Sequence, residues 1–444
     1  MSQLKEFKND NLDPLHRPIQ SIADMIDIFV QAEKLHAQFR VGIEHERFAF
    51  VKATRKPLPY VGDVGIEALF RAMAVHGWQP VIEDGHVIAL TKQNAGISLE
   101  PGGQVELAGA PYRTMDEIHA ELQSYFAQMD NVADQMGIGF LFVGYHPNAR
   151  REEFPWVPKS RYQIMRRYMP KVGGRGIDMM LRTCTVQANL DYENEADMVS
   201  SVRVALALSP LITALFANSP FAEGKPSGML SERTMVWHDT DAKRCGFPET
   251  VLASNFGYEA WVNFVLDVPM YFIRREGKYI DLAGRSFREF MRSGYDGHEA
   301  TMRDFADHLT TVFTEVRVKP QIEVRSADCG GKPFLSALPA LWKGILYDDL
   351  AKREALSLME EPSVVELSDL QRACAEFGFR AKYRGRSVLE LCEHTIRIAE
   401  QGLSRQAPGE EKYVRPLSEL VARQSTQAEE LLKQSDLNLL WGGE

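Results

Sequence analysis

The sequence predicts an α+β fold. Three observations support this: amphipathic helical periodicity near both ends, strand-like segments scattered between the helices, and candidate hairpins in place of a regular βαβ alternation. A chain of 444 residues with 45% hydrophobic residues can bury a large core, so disorder as the dominant state is excluded. From its length alone, the chain is expected to contain about three domains.

Helices are predicted where apolar residues recur at helical spacing, as in segments 20–38 and 114–136. The most apolar stretch runs from Val204 to Ala217 and contains Pro210, so it is too short to span a bilayer and is expected to be a buried core helix. From about residue 335 the pattern is helical almost to the end, either as a subdomain packed on the sheet or as part of one core.

Strands are predicted where apolar and polar residues alternate or where short apolar runs lie between turn residues. In chain order these segments are 41–51, 97–107 with a break at Pro101-Gly102-Gly103, 138–145, 181–192, 270–282 as a hairpin turning near Glu276-Gly277, and 317–328.

Charge and cysteine content narrow the function classes. Lys and Arg total 51 and Asp and Glu total 61, a formal net charge of −10, whereas a duplex-binding protein would carry a basic excess. The five cysteines are far apart and form no C-x-x-C pair, which disfavours a disulfide framework or a zinc site. Residues 1–10 contain no apolar signal core. We therefore expect an acidic cytoplasmic enzyme that binds neither nucleic acid nor membrane.

Two strand-like segments carry pairs of glutamates. Glu44 and Glu46 are two residues apart, so on a strand they share a face with Phe48. Two carboxylates on a half-buried face repel each other unless a cation lies between them; the alternative is a salt-bridged edge strand. Glu100 and Glu106 flank a glycine turn that can bring both acids to one point, or they are solvated acids of a surface hairpin.

Two further strands place polar side chains on one face. Thr185, Gln187 and Asn189 alternate with apolar residues, and such a face lines a cup or simply meets water. Glu323 and Arg325 share a face, either as a structural ion pair or as ligands of a metal and a phosphate.

Together these segments indicate a divalent-metal enzyme. Carboxylate ligands without His or Cys favour Mg²⁺, with Mn²⁺ possible, over zinc. The sequence has neither a Walker motif nor a Rossmann glycine motif. On residue chemistry alone, phosphoryl transfer and hydrolysis both remain open.

The motifs resemble the plant-type glutamate–cysteine ligases that also occur in proteobacteria. The matching stretches follow one another from about residue 15 to about 435, and they include G-I-E-H-E-R-F at 42–48, I-S-L-E-P-G-G-Q-V-E-L-A-G-A-P at 97–111, L-R-T-C-T-V-Q-A-N-L-D at 181–191 and E-V-R-S-A-D at 323–328. The resemblance implies a glutamine-synthetase-like fold, in which an antiparallel sheet curves into a cup surrounded by helices. It also implies one catalytic unit over 1–444, with a mainly helical part from about 335.

The resemblance further implies a reaction. ATP phosphorylates the γ-carboxylate of L-glutamate, and the amine of L-cysteine displaces phosphate from the acyl phosphate, which is the first step of glutathione synthesis. Because metal and arginine can stabilise the charge on the phosphoryl oxygens, no side-chain nucleophile is required.

Site roles are carried over by resemblance. The resemblance implies that the metal ligands are Glu44, Glu46, Glu100, Glu106 and Glu323. It also implies that Glu323 and Arg325 are the catalytic pair. Arg325 is expected to meet the transferred phosphoryl group of ATP, Arg233 the glutamate α-carboxylate and Tyr271 the cysteine substrate, while Thr185, Gln187 and Asn189 line the floor of the cup.

The sequence also departs from the plant pattern. The positions of one regulatory disulfide hold His119 and Ser336, and those of the other hold Leu282 and a non-cysteine near Ser293, so redox control is not expected. A bacterial cytoplasmic form, a monomer or weak homodimer, is the expectation. The alternatives are a ligase for another amine, a magnesium-dependent phosphohydrolase, or a non-catalytic relative.

Overall fold

The computed structural model describes residues 14–433 and Trp441. The segment used above to argue against a secretory signal, residues 1–10, lies outside these described residues. The same holds for the end of the predicted helical part, apart from Trp441.

The described residues form one large antiparallel sheet and several two-stranded hairpins or bridges. In chain order the strands are β1 Val41–Val51, β2 Gln79–Glu83, β3 His86–Lys92, β4 Ala95–Leu99, β5 Val105–Ala108, β6 Ile138–Leu141, β7 Thr185–Leu190, β8 Phe221–Ala222, β9 Lys225–Pro226, β10 Cys245–Gly246, β11 Phe272–Arg275, β12 Lys278–Asp281, β13 Phe313–Thr314, β14 Val316–Val318, β15 Ile322–Asp328, β16 Lys382–Tyr383 and β17 Arg386–Ser387.

The large sheet has the strand order β14-β15-β7-β1-β5-β4-β3-β2. Strand β6 pairs with the C-terminal part of β1, after the residues of β1 that pair with β5 and β7. All these pairs are antiparallel. The central strand β1 therefore lies between β5 and β7, which carry other segments with predicted site residues.

Helices cover the sheet. In chain order those of the described residues are α1 Ile22–Val30, α2 Ile66–Ala72, α3 Met115–Gln135, α4 Ser160–Tyr168, α5 Gly176–Arg182, α6 Glu195–Phe216, α7 Glu232–His238, α8 Tyr258–Asp267, α9 Phe287–Ser293, α10 Met302–Leu309, α11 Lys332–Leu346, α12 Asp349–Met359, α13 Val364–Phe377, α14 Val388–Gln406, α15 Arg415–Arg423 and α16 Gln427–Lys433.

Helix α6 is the central helix of the core. At 22 residues it is long and apolar enough to cross a membrane by length and composition, so the expectation that this segment is too short was wrong. Its most apolar part is nevertheless 83% buried inside the protein, which agrees with the predicted core helix. It packs against β15 and against α12 and α13, while α11 packs on β7 and β1. One hydrophobic cluster extends from Met25 to Val421 and joins the sheet to the C-terminal helices.

The predicted α+β class agrees with this architecture, but three local predictions were wrong or incomplete. Leu181 and Arg182 end helix α5 instead of starting a strand, and segment 317–328 is two strands joined by a turn at 319–321. The β2–β3 hairpin was not predicted, although Asp84-Gly85 is a strong turn signal and both residues have positive φ.

Candidate active site

One cavity collects most of the predicted site residues. Glu44, Glu46, Glu100, Glu106, Thr185, Gln187, Arg233 and Arg325 all line it. These residues come from β1, the β4–β5 turn, β5, β7, α7 and β15, so the sheet and one helix assemble the cavity.

The acidic wall is built by the register of β1 against β5. Glu46 lies directly opposite Glu106, and Glu106 lies opposite Ser98 of β4, whose hydroxyl donates to Glu106 Oε2 at 2.5 Å. Alternation along β1 places Glu44 and Glu46 on the cavity face. Because Glu106 is only 3% exposed, it is not a solvated acid of a surface hairpin.

The opposite face of β1 is buried in an aromatic layer. Arg47 is fully buried, and its Nη1 donates to Asp130 at 2.8 Å while its guanidinium lies 3.9 Å from the centre of the Phe140 ring. Arg47 therefore points away from Glu44 and Glu46, and β1 is paired on both edges. Both observations exclude the salt-bridged edge strand as an explanation for these acids.

Burial and repulsion between carboxylates raise the pKa values of two of the acids, Glu46 and Glu106. The pKa of Glu46 is raised well above its usual range by burial and by the charges of Glu100 and Glu106. Burial, with the charges of Glu100 and Glu44, raises the pKa of Glu106 to about 8. These carboxylates thus lack sufficient positive charge from the protein itself, even with Arg233 and Arg325 nearby.

Strand β7 supports the acids from the side. The backbone N–H of Thr185 donates to Glu46 Oε2 at 3.0 Å, and Asn189 Nδ2 donates to Glu44 Oε1 at 3.0 Å. Gln187 Oε1 accepts from Arg325 Nη1 at 2.8 Å. Thr185 and Gln187 are buried against the cavity, whereas Asn189 lines a neighbouring cavity.

Arg233 lies in the first turn of α7. Ser231 caps this helix, and its Oγ donates to the buried carboxylate of Asp328 at 2.8 Å. Arg233 Nη2 donates to the backbone oxygen of Arg325 at 2.9 Å, but its buried Nε has no hydrogen-bond partner. Burial lowers the pKa of Arg233 from its usual value. A buried guanidinium with an unused donor at a cavity wall suits a carboxylate ligand.

Glu323 differs from the other predicted ligands, because it is fully buried behind the cavity wall instead of lining it. Arg317 Nε donates to its Oε2 at 2.5 Å, and Lys319 Nζ and Arg325 Nη1 lie 3.3 and 3.5 Å from its Oε1. These three cations hold the pKa of Glu323 below its usual value despite burial.

Tyr271 is also set back from the cavity. It is 1% exposed, its hydroxyl donates to Met169 Sδ at 3.6 Å, and the Arg244 guanidinium lies 3.9 Å from its ring centre. Its neighbour Phe272 lines the cavity instead. A substrate contact by Tyr271 therefore requires movement of this segment.

Sequence reasoning missed several cavity residues, namely Arg161, Trp237, Phe313, Arg317 and Lys319. Arg317 and Lys319 form an alternating basic pair on the strand and turn before Glu323, a signal comparable to the glutamate pair. Arg161, Trp237 and Phe313 carry no local motif, since their position depends on how α4, α7 and β13 pack on the sheet.

The carboxylate groups of the cavity are the right kind of ligand for a hard divalent cation, but they are too far apart in this structure to bind one together. Within residues 14–433, no three His, Cys, Asp or Glu side chains are grouped closely enough to hold a metal ion as they stand. The donors are all carboxylates, and their unrelieved repulsion is what an Mg²⁺-type ion would offset. Small side-chain movements are therefore needed to form such a site.

Comparison with known proteins identifies the family. The family model "Glutamate-cysteine ligase family 2" matches residues 40–443. The chain belongs to this family. It is 42% identical over 414 residues to the chloroplastic glutamate–cysteine ligase of Medicago truncatula, covering 92% of this chain and 81% of the relative. It is 43% identical over 422 residues to the chloroplastic enzyme of Arabidopsis thaliana, covering 94% and 80%.

A solved structure supports the fold. The glutamate–cysteine ligase of Francisella tularensis in complex with AMP is similar to this chain with a TM-score of 0.59, at 14% identity, covering 92% of this chain and 88% of that one. At this identity the likeness concerns the fold alone, and it confirms the glutamine-synthetase-like α+β class. Family membership confirms the predicted ligase.

The cytoplasmic location predicted from the N-terminus and the cysteine pattern was wrong. Curated relatives at 42–43% identity are named chloroplastic enzymes, and this finding contradicts the cytoplasmic prediction. Among the described residues, Cys184, Cys245, Cys329, Cys374 and Cys392 are all free, and four of them are buried. His119 Nδ1 and Ser336 Oγ lie 3.2 Å apart, so one predicted pair of bridge positions is in contact through a hydrogen bond.

Proposed function

We propose that this protein joins the γ-carboxylate of L-glutamate to the amine of L-cysteine at the expense of ATP, forming γ-glutamylcysteine, ADP and phosphate. The observation that carries the proposal is a single cavity lined by four glutamates, Glu44, Glu46, Glu100 and Glu106, together with Arg233 and Arg325. Family membership supports the same reaction and ATP as its phosphoryl donor.

The first step transfers the phosphoryl group. A γ-carboxylate oxygen of glutamate attacks the γ-phosphorus of ATP, the bond to the β-phosphate oxygen breaks, and ADP leaves. Arg325, held toward Gln187 by its 2.8 Å hydrogen bond, is placed to neutralise charge on the transferred group. Arg233 is assigned to the α-carboxylate of glutamate, which would satisfy its unpaired Nε.

The second step forms the amide. The cysteine amine attacks the acyl carbon, phosphate leaves with the electrons of the C–O bond, and the amine loses a proton. Thr185 and Gln187 form the polar floor, and we retain Tyr271 and Asn189 as substrate-binding proposals that require adjustment of their present positions.

Mg²⁺, with Mn²⁺ as a substitute, is proposed as the cofactor. Glu44, Glu46, Glu100 and Glu106 would hold it, with Glu323 joining only if it exchanges one of its basic partners. When bound, such an ion screens the phosphate oxygens and orients ATP. We further propose a single catalytic unit over 1–444, a monomer or weak homodimer in solution, since one hydrophobic cluster spans sheet and C-terminal helices.

The deciding experiment is a phosphate-release assay with ATP, Mg²⁺ and L-glutamate, with mass spectrometry of the product. We expect release to require an amine acceptor and to be fastest with L-cysteine. Equal rates with L-alanine would point to a ligase for another amine. Equal release without any amine would point to a phosphohydrolase.

A further inference from the structure

A buried carboxylate, that of Asp328, lies close to Arg233 but does not line the cavity. Asp328 is the last residue of β15 and is 1% exposed. Its Oδ1 lies 4.0 Å from Arg233 Nη1, which is an ion pair without a direct hydrogen bond. The proposed reaction assigns Arg233 to the glutamate α-carboxylate, but it gives Asp328 no role.

A bulge in β15 determines which face of the sheet Asp328 occupies. Residues directly opposite each other on antiparallel strands have their side chains on the same face. Glu323 pairs with Asn189 of β7 near the start of β15, Asp328 pairs with Thr185 at its end, and the register shifts between these two pairs. Without the shift, residues five positions apart on β15 would lie on opposite faces. The bulge therefore brings Asp328 to the face of Thr185, which lines the cavity.

Three hydrogen bonds hold the carboxylate of Asp328. The hydroxyls of Ser219 and Ser231 donate to its Oδ2 and Oδ1 at 2.6 and 2.8 Å, and the backbone N–H of Asn218 donates to Oδ2 at 3.0 Å. Burial raises the pKa of Asp328, whereas the charge of Arg233 and these hydrogen bonds oppose that rise. The carboxylate thus orients both serine hydroxyls as donors toward β15.

The same two hydroxyls accept hydrogen bonds from the first turn of α7. The N–H of Arg233 donates to Ser219 Oγ at 3.2 Å, and the N–H of Thr234 donates to Ser231 Oγ at 3.3 Å. Because a serine hydroxyl has one proton, and that proton points to Asp328, the oxygen lone pairs remain for these N–H groups. Each serine therefore connects the carboxylate of Asp328 to the helical turn that carries Arg233.

We propose that Asp328 is a positioning residue, which fixes the first turn of α7 through Ser219 and Ser231 so that Arg233 presents its guanidinium to a carboxylate substrate. The guanidinium is held to the same strand, because Arg233 Nη2 donates to the backbone oxygen of Arg325 at 2.9 Å. The inference rests on the proposed function for the role of Arg233. It adds the groups that determine where Arg233 lies.

The first test changes the hydrogen bonds with little change in shape. In Asp328→Asn one acceptor oxygen becomes an NH₂ donor, so the side chain cannot accept from both serines in their present places. With Mg²⁺ and the ATP analogue AMP-PNP present, we expect the calorimetric Kd for L-glutamate to rise about tenfold, and the Kd for AMP-PNP to stay within about twofold. Ser219→Ala and Ser231→Ala each remove one connection and should each raise the glutamate Kd about threefold.

The matched control is Glu410→Gln. Glu410 is also a buried carboxylate, 6% exposed, which accepts from Lys343 Nζ at 2.6 Å and from the N–H of Met115 at 3.1 Å, and none of these three residues lines the cavity. We expect this variant to lower the midpoint of thermal unfolding while the glutamate Kd stays within about twofold of wild type.

The second test separates positioning from a general effect on stability. If Asp328 acts through Arg233, Asp328→Asn should raise the glutamate Kd by less than about twofold in a protein that already contains Arg233→Lys. An equal rise in both backgrounds, equal effects on glutamate and AMP-PNP, or an unchanged glutamate Kd in folded Asp328→Asn would overturn the proposal. If Asp328→Asn does not fold, the two serine variants are measured in the same two backgrounds.

These measurements distinguish failure of the inference from failure of the proposed function. A wild-type protein that binds L-glutamate but forms no γ-glutamylcysteine contradicts the proposed function and leaves the test of Asp328 valid. A wild-type protein that forms γ-glutamylcysteine, while Asp328→Asn binds L-glutamate equally tightly, contradicts the inference alone. A wild-type protein that does not bind L-glutamate contradicts both.

Discussion

At the scale of single residues, Glu323 is the centre of a buried group of ion pairs. Its carboxylate is the common partner of Arg317, Lys319 and Arg325, all within 3.5 Å. Removing one member of a buried ion pair costs about 3–5 kcal/mol, because the remaining charges lose their partner. A variant at this position therefore cannot be interpreted from activity alone.

We predict that Glu323→Gln lowers kcat/KM at least a hundredfold and also lowers the midpoint of thermal unfolding. Loss of the negative charge releases three cations and moves Arg325, which the first step requires. Calorimetric melting and steady-state kinetics on the same preparation check this. Wild-type kinetics would remove Glu323 from the catalytic machinery.

Arg233 offers a cleaner separation of binding from catalysis. We predict that Arg233→Lys raises the KM for glutamate at least tenfold and changes kcat less, since lysine lacks the planar fork that binds a carboxylate. Arg167→Lys, an exposed arginine paired with Asp281, is the control. A kcat effect with unchanged KM would contradict the α-carboxylate role.

At the scale of elements, the β4–β5 turn sets the position of Glu100. Gly103 has a φ of +83°, and a Cβ at Gly102 would lie 2.6 Å from the backbone oxygen of Leu181. The turn thus packs directly on the end of α5, and only glycine permits that approach.

We predict that Gly102→Ala destabilises the protein by about 1–3 kcal/mol and reduces activity, because the backbone must move away from α5. Gly331→Ala is the matched control, since its Cβ would have its nearest neighbour at 3.9 Å. Denaturant unfolding of both variants measures the difference. Equal stability of the two variants would mean that the turn adjusts without cost.

Helix α10 contributes a pH dependence of stability. His308 is buried against Phe287, its Nε2 donates to the Val265 carbonyl at 3.0 Å, and Thr311 approaches its Nδ1. Burial and the nearby Arg244 lower its pKa to about 4. The unfolded chain binds a proton near pH 6.5, so stability is complete above that pH and falls as the pH drops toward 4.

We predict that the free energy of unfolding falls by up to about 3 kcal/mol between pH 6.5 and 4 because His308 takes up a proton on unfolding. In the variant His308→Gln, the free energy of unfolding should depend less on pH between 6.5 and 4, even if its value at pH 7 is lower than in the wild type. Urea unfolding of both proteins at several pH values tests the prediction. Parallel curves would contradict it.

Sequence reasoning succeeded where the relevant contacts are local. Alternation placed Glu44 and Glu46 on one face, and the glycine turn placed Glu100 and Glu106 at one cavity. It failed where packing between distant segments decides whether a side chain reaches the cavity. Tyr271 and Glu323 are both buried and do not line the cavity, whereas Phe272 does. The start of β7 was also misplaced, since α5 continues to Arg182 and its Leu181 packs closely against Gly102 of the β4–β5 turn.

At the scale of the whole molecule, the proposed cation site in the acidic cavity leads to a prediction about stability. Burial and neighbouring carboxylates raise the pKa of Glu46 and Glu106, so a bound cation that favours their charged forms would be linked to the folded state. A ligand that binds only the folded state stabilises it by about 2.7 kcal/mol at a hundredfold excess over Kd.

We predict that saturating MgCl₂ raises the unfolding midpoint relative to EDTA, on the order of 2 °C. Glu46→Gln with Glu106→Gln should remove the difference, because neither side chain then offers a carboxylate to the ion. CaCl₂ serves as a comparison for a larger ion. An EDTA-insensitive wild-type protein would contradict the proposed metal site.

The antiparallel ladder through β5, β1, β7 and β15 also governs how the protein folds. The hydrogen bonds that fix the cavity join residues 138 to 145 positions apart in sequence. Contacts of such long range form slowly, because a long loop must close before they gain any energy. The candidate active site is therefore expected to form late in folding, and a nascent chain that ends before Arg325 carries the four cavity glutamates and Arg233 without Arg325.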